Sequence, residues 1–177
     1  GARLGELLAL RWSDIDLNNL RVHIHRSIAR VKGRGYIEKT PKTKSGVRKV
    51  VLIQAVIDAI PEQKQYIERT MFLAEGRWQD LDLVFPNIYG RYMEKNQVLS
   101  ELREILSQAG LSLETNMHDL RHSMATLLFA AGVNPKIIQE ALGHSNISTT
   151  LGIYGDVLPD MQDQIGGVLD RFFDDSF

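Results

Sequence analysis

Residues 118–154 read HDLRHSMATLLFAAGVNPKIIQEALGHSNISTTLGIY, and their punctuation decides the fold. Apolar residues recur at helical spacing from His118 to Ala131, and Gly132 stops that run. Asn134-Pro135 then opens a further helix, since asparagine caps well and a first-turn proline loses no hydrogen bond. That helix reaches about Leu142 and ends at Gly143. Ser148 is placed to cap a last stretch that carries Tyr154. Upstream, Asn96 is expected to cap a helix that Gly110 stops. Leu83-Val84-Phe85 is a short apolar run ending at Pro86. Another helix is expected near 61–74, with Pro61 at its start.

The first fifty residues read differently. Leu4, Leu7 and Leu8 share one face of a helix expected over 3–12, with Trp12 close by. Only Gly1-Ala2 precede it, and neither caps a helix, so the chain is expected to begin inside a helix as part of a longer protein. Beyond it, Ile15 and Leu17 alternate with aspartates, Asn18-Asn19 marks a turn, and Leu20, Val22 and Ile24 alternate with polar residues. The loop Lys32-Gly33-Arg34-Gly35 leads to Tyr36-Ile37 and a hairpin expected to turn at Ser45-Gly46, which Val50-Val51-Leu52-Ile53 closes. The expected fold is one domain over 1–177, mainly α with a small three-stranded antiparallel sheet near the N-terminus.

At 177 residues, 44% hydrophobic and 24% charged, the chain has the composition of a globular domain long enough to bury a core. It contains no cysteine, which removes disulfides and thiol chemistry together. No stretch is apolar enough for a membrane span, and a cytoplasmic address is the default expectation. The net charge of −1 excludes a uniformly basic nucleic-acid binder, but the charge is polarised. Residues 21–49 hold ten basic side chains against Glu38 alone, and residues 156–177 hold six aspartates against Arg171 alone. One face is therefore suited to a polyanion, with an acidic tail elsewhere.

Two histidine pairs invite a chemical reading. His23 and His25 lie two apart on a strand. His118 and His122 lie four apart on a helix and share its face, a spacing that suits zinc. Arg121, on nearly the same face as His118, disfavours a cation there. The other reading is that His118 and Arg121 both address an anion, a proton-transfer group beside a bidentate phosphate clamp.

Four stretches taken together resemble the boxes of the tyrosine recombinases, the phage integrase family. The first is Ala2-Arg3-Leu4-Gly5-Glu6-Leu7-Leu8-Ala9-Leu10-Arg11-Trp12. The second, Thr40-Pro41-Lys42-Thr43-Lys44-Ser45-Gly46, is similar to that family's lysine hairpin. His118-Asp119-Leu120-Arg121-His122 is similar to its His-x-x-Arg box, and Leu142-Gly143-His144 followed by Tyr154 to its tyrosine box. The resemblance implies cleavage of a DNA phosphodiester by Tyr154, giving a 3′-phosphotyrosyl link and a free 5′-hydroxyl, without cofactor or metal. By the same resemblance Arg3 and Arg121 clamp the phosphate, Lys44 (with Lys42 as competitor) protonates the leaving oxygen, His118 assists as base, and His144 donates to the phosphate. Glu6 supports them.

Arg30, Lys32, Arg34, Lys39, Lys42 and Arg48 are expected to contact double-stranded DNA. The resemblance further implies a separate core-DNA-binding domain preceding this segment, and a homo-oligomer, a tetramer on DNA, joined through an acidic tail over 158–177. On DNA the protein would be associated with the nucleoid. Gly152 and Gly155 flank the tyrosine where better helix formers are expected. The competing functions are a type IB topoisomerase-like nicking-closing activity, an inert DNA-binding fragment, and a metallohydrolase built on His118, His122 and His144.

Overall fold

The computed structural model describes residues 1–41 and 43–154, and for Lys44, Ile153 and Tyr154 it describes the backbone. Lys42 and the tail over 158–177 lie outside the described residues. The elements run α1 (Leu4–Leu8), a 3-10 turn (Trp12–Asp14), β1 (Ile15–Asp16), β2 (Arg21–Ile24), β3 (Ser27–Val31) and β4 (Gly35–Lys39). A second 3-10 turn (Lys44–Gly46), β5 (Arg48–Val51) and five helices follow: α2 (Gln54–Leu73), α3 (Lys95–Gln108), α4 (Met117–Ala130), α5 (Pro135–Leu142) and α6 (Ile147–Tyr154). Among them no helix is long and apolar enough to cross a membrane.

The small three-stranded antiparallel sheet is present, in the order β1-β2-β5, with Ile15 opposite Val22 and Val22 opposite Val50. Its composition corrects the expected hairpin. β5 pairs with β2 rather than with Tyr36-Ile37, and β3 and β4 form a separate two-stranded ribbon that turns at residues 32–34. The reason is burial: Val22 and Ile24 of β2 join Leu52, which follows β5, in one core with Leu10 and Val84. The Lys44–Gly46 turn then becomes a crossing between ribbon and sheet.

The first helix is also shorter than expected. Leu10 and Trp12 are drawn into an extended pairing with the Leu83-Val84 run: Val84 N donates to Leu10 O at 2.9 Å, and Trp12 N to Asp82 O at 2.9 Å. That ladder competes with further helix and wins, because it also buries Leu10 and Val84. α2 begins seven residues before Pro61, which therefore lies inside the helix and removes one rung of its ladder. Glu94, rather than Asn96, occupies the N-cap of α3.

The last three helices follow their punctuation. Asn116 Oδ1 accepts from the His118 and Asp119 N–H groups at 2.8 and 3.4 Å, and Asp119 Oδ2 accepts from Asn116 N at 2.8 Å. Asn134 Oδ1 accepts from Lys136 N at 2.8 Å, with Pro135 in the first turn. For α6 the capping oxygen comes from Asn146, which accepts from Ser148 N at 3.0 Å, rather than from Ser148. Phe129, Ala125, Ile138 and Leu142 lock α4 to α5 in a second core, and α6 packs on both.

Gly143 ends α5 in the left-handed region, at φ 70°. A Cβ there would stand 2.8 Å from Ser45 O and 2.9 Å from Arg48 Nη1, so the 3-10 turn over Lys44–Gly46 abuts the end of α5. Gly132, at φ 74°, has nothing within 4 Å of the same position. Gly132→Ala is expected to cost roughly 1–2 kcal/mol of backbone strain, about 2–8 °C in Tm. Gly143→Ala is expected to cost clearly more, because backbone must also move. Thermal unfolding of the two variants side by side checks this; equal losses would mean that the turn does not press on Gly143.

Candidate active site

Glu6 sits at the third position of α1 and turns back on Arg3. Its Oε2 accepts from Arg3 N at 2.8 Å and its Oε1 from Arg3 Nη1 at 2.9 Å. From the opposite side Arg48 of β5 donates to the same carboxylate through Nη2 at 2.8 Å and Nη1 at 3.1 Å. Burial pushes the Glu6 carboxyl up, but the bonds from Arg48 and Arg3 outweigh it and hold it below the ordinary value. Glu6 is therefore a fixed anion whose acceptor capacity is filled by two guanidiniums and one backbone N–H.

Each of three arginines also reaches the end of α5, where backbone carbonyls lack helical partners. Arg48 Nε donates to Ala141 O at 2.8 Å, Arg121 Nη2 to Leu142 O at 2.5 Å, and Arg3 Nη2 to Gly143 O at 3.1 Å. Arg121, 3% exposed, also donates to the Gly1 carbonyl. Burial, then the neighbouring charges of Arg3 and Arg48, lower its pKa to about 10, which leaves it charged at neutral pH. The Arg3 side chain is 45% exposed, so it retains a face for a ligand.

Arg3, His118 and Arg121 line one cleft of ≈ 340 Å³, together with Asn116, Lys95 and Leu99. His118 projects from the first turn of α4, with its ring edge-on to His122 at 4.4 Å between centroids. His144 directly follows Gly143 and is buried. Gln139 brackets its backbone: His144 N donates to Gln139 O at 3.1 Å, and Gln139 Nε2 donates to His144 O at 3.0 Å. Its Nδ1 stands 2.9 Å from Thr150 Oγ1 of α6. Burial, followed by the positive field of Arg121 and Arg3, brings its pKa down to about 4, so the ring is neutral near pH 7.

The arrangement has the chemistry to hold an anion, with a neutral imidazole in the field of the two guanidiniums. Two guanidiniums lining one cleft suit a tetrahedral phosphate, and the cost of gathering them is met by Glu6 and the α5 carbonyls rather than by a ligand. Lys44 belongs to the 3-10 turn that abuts Gly143, and Tyr154 is the last residue of α6. The Lys44 backbone thus lies beside the end of α5 that Arg3 and Arg121 bind, and the side chains of Lys44 and Tyr154 lie outside the described atoms.

Among the expected DNA contacts, Arg48 is corrected. It is 8% exposed and commits its donors to Glu6 and Ala141 O, so it is a tie inside the fold and not part of the exposed basic face. Lys32, Arg34 and Lys39 are exposed on the β3-β4 ribbon, and Arg30 there pairs with Glu94 at 3.2 Å. His23 and His25 stack at 4.6 Å, and His25 Nε2 meets Asp14 Oδ1 at 2.8 Å. Among the described residues no three His, Asp or Glu side chains are grouped to hold a metal. Sequence reasoning missed Thr150 and Gln139, whose roles rest on contacts across helix boundaries. The four-residue spacing from Thr150 to Tyr154 was the available signal.

Comparison with known proteins gives this geometry its context. A tyrosine recombinase XerC-like protein of Caldanaerobacter subterraneus is 37% identical over 171 residues, which is 90% of this chain and 43% of the relative. The ICEBs1 integrase of Bacillus subtilis is 29% identical, over 96% of this chain and 45% of that protein. The chain thus spans under half the length of these curated relatives. Among solved structures, the Tn1549 transposon integrase in complex with circular intermediate DNA superposes with a TM-score of 0.69 at 28% identity, over 85% of this chain and 50% of that one. The phage integrase family model matches residues 1–160, a span containing every element that frames the cleft, and the chain therefore belongs to the phage integrase family.

Proposed function

We propose that this chain is the catalytic domain of a site-specific DNA recombinase that cleaves and rejoins strands through a 3′-phosphotyrosyl intermediate. The observation that carries this reading is the convergence of Arg3, His118 and Arg121 on one cleft, with His144 bonded to the helix that ends in Tyr154. This reading includes a separate domain that reads DNA sequence, and the chain spans under half the length of its curated relatives. Integration or excision of a mobile element is the matching role, since the relatives include integrases of an integrative element and a transposon. Such a protein works on the nucleoid, in the cytoplasm.

In this mechanism the Tyr154 oxygen attacks the scissile phosphorus as the bond to the 5′-oxygen breaks. A phenol of pKa about 10 is a weak nucleophile at neutral pH. Arg3 and Arg121 stabilise the charge that develops on the non-bridging oxygens, and His118 takes the phenolic proton. Lys44 gives a proton to the departing 5′-oxygen. The phosphodiester's energy is kept in the phosphotyrosyl bond, so a 5′-hydroxyl from another strand reverses the step. Lys32, Arg34 and Lys39 on the exposed ribbon supply sequence-independent backbone contacts.

The tail over 158–177 joins copies of the chain into a tetramer on DNA. A groove of ≈ 810 Å³ between β5 and the α4-α5 pair supports this, because its apolar floor includes Val51, Ile53 and Ile137 and its lining includes Arg21, Lys49 and Lys136. Phe172, Phe173 and Phe177, set among aspartates, complement both features.

Tyr154→Phe is expected to abolish the covalent adduct with a nicked suicide duplex while DNA affinity stays within a few-fold. Arg3→Ala and Arg121→Ala should each slow adduct formation by roughly 100- to 1,000-fold, with only partial recovery in the lysine variants. Adduct in the Phe variant would assign the nucleophile elsewhere. For Lys44→Ala, a substrate with a bridging 5′-thiolate leaving group should restore cleavage, since a thiolate departs without a proton; no restoration would move the acid role to Lys42 or a histidine. Deleting residues 158–177 should weaken multimer assembly on DNA in gel-shift titrations while leaving single-site binding intact, and unchanged assembly would remove the tail from the interface.

A further inference from the structure

We infer that Thr150 is a positioning residue that fixes His144 as its Nε2–H tautomer, so that the ring presents a donor and not an acceptor at its free nitrogen. The catalytic value of that donor rests on the recombinase reading above; the assignment of the proton does not.

The argument is one of hydrogen-bond accounting. Thr150 is completely buried, and the hydrogen bond of its hydroxyl runs to His144 Nδ1 at 2.9 Å. A hydroxyl brings one proton and two lone pairs, and a neutral imidazole brings one N–H and one bare nitrogen. If Nδ1 carried the ring proton, it would donate to Oγ1 and the buried hydroxyl proton would have no acceptor. If the hydroxyl donates to a bare Nδ1, the buried hydroxyl proton is used, and the ring's own proton stands on Nε2, which is not among the buried atoms left without a partner. An orphaned buried donor is the costlier state, so the second arrangement holds.

Three other helical hydroxyls sharpen the contrast. Thr70, Ser123 and Thr126 each donate back to the carbonyl four residues earlier, at 2.8, 2.9 and 3.2 Å. The corresponding bond from Thr150 to Asn146 O does not occur among the described residues. Its hydroxyl is turned out of α6 toward the histidine instead. Meanwhile Gln139 holds the His144 backbone from both sides, so the ring's orientation is the remaining freedom and Oγ1 removes it. The charges facing the ring are cationic, Arg121 and Arg3 foremost, and with burial they keep it neutral, leaving one proton to be placed.

Thr150 also precedes Tyr154 by four residues and shares its face of α6. The same bond that sets the tautomer therefore ties the helix carrying the tyrosine to the histidine beside the arginines. A seated α6 and a donating His144 occur together.

Two variants separate the hydroxyl from the methyl group. Thr150→Val keeps the shape without the O–H, and Thr150→Ser keeps the O–H. Long-range proton–nitrogen NMR on the 15N-labelled chain reads the His144 tautomer directly. The wild-type and Ser proteins are expected to show Nε2–H, and the Val protein a substantial Nδ1–H population. Adduct formation on a suicide duplex should fall roughly 10- to 100-fold in Thr150→Val, with unchanged DNA affinity, and recover in Thr150→Ser. Nδ1–H in the wild type, or an unaltered tautomer in Thr150→Val, overturns the assignment. A shifted tautomer with wild-type cleavage overturns its catalytic role. If wild-type chain forms no adduct, the recombinase reading fails while the NMR result still decides the tautomer.

Discussion

Three guanidiniums on three consecutive carbonyls hold this domain's site together. Ala141, Leu142 and Gly143 end α5 with backbone oxygens that no helical N–H satisfies, at the negative end of the helix dipole. Arg48, Arg121 and Arg3 take them in turn, from a strand, a helix and a helix cap that are far apart in sequence. The end of one eight-residue helix is thereby the meeting point of the sheet, the first helix and the α4-α5 pair. Gly143 allows this because it reverses the chain in the left-handed region, and no side chain could fit between it and the Lys44–Gly46 turn.

Burying guanidiniums and gathering like charges have a cost, and the two together, burial first, lower the pKa of Arg121. Glu6 offsets it from below. With side chains 5% exposed, Glu6 and Arg48 form a pair whose desolvation about cancels its attraction, so its worth lies in placement more than in stability. Removing Glu6 would leave the buried Arg48 charge without its carboxylate, at about 3–5 kcal/mol, whereas without Arg48 the carboxylate still holds Arg3. The result is a positive cleft whose charges the fold itself holds in place; under the recombinase reading, that preorganisation is what electrostatic catalysis requires.

The second constraint runs from His144 to α6. Burial and the arginine field keep the imidazole neutral, Gln139 holds its backbone, and Thr150 holds its ring. His144 therefore joins the end of α5 that the arginines bind to the helix that carries the tyrosine. The histidine is thus held by hydrogen bonds to two helices rather than by packing alone.

Much of this was legible in the order of residues. Asn134-Pro135, Gly132 and Gly143 marked α4 and α5 closely, because caps and left-handed stops act within one turn. The resemblance of the four boxes singled out Arg3, Lys44, His118, Arg121, His144 and Tyr154, of which the structure lines one cleft with Arg3, His118 and Arg121. What spacing could not decide was long-range pairing. Leu10 to Trp12 read as helix until the Leu83-Val84 run drew them into a ladder, and β5 had two possible partners until burial selected β2. Arg48 carried a charge like its neighbours in the basic segment, and nothing local separated it from Lys32 or Arg34. Only tertiary structure, by placing Glu6 and the Ala141 carbonyl around it, turned that arginine inward; a buried charge is tolerated only where its partners already stand, and those partners are 42 and 93 residues away.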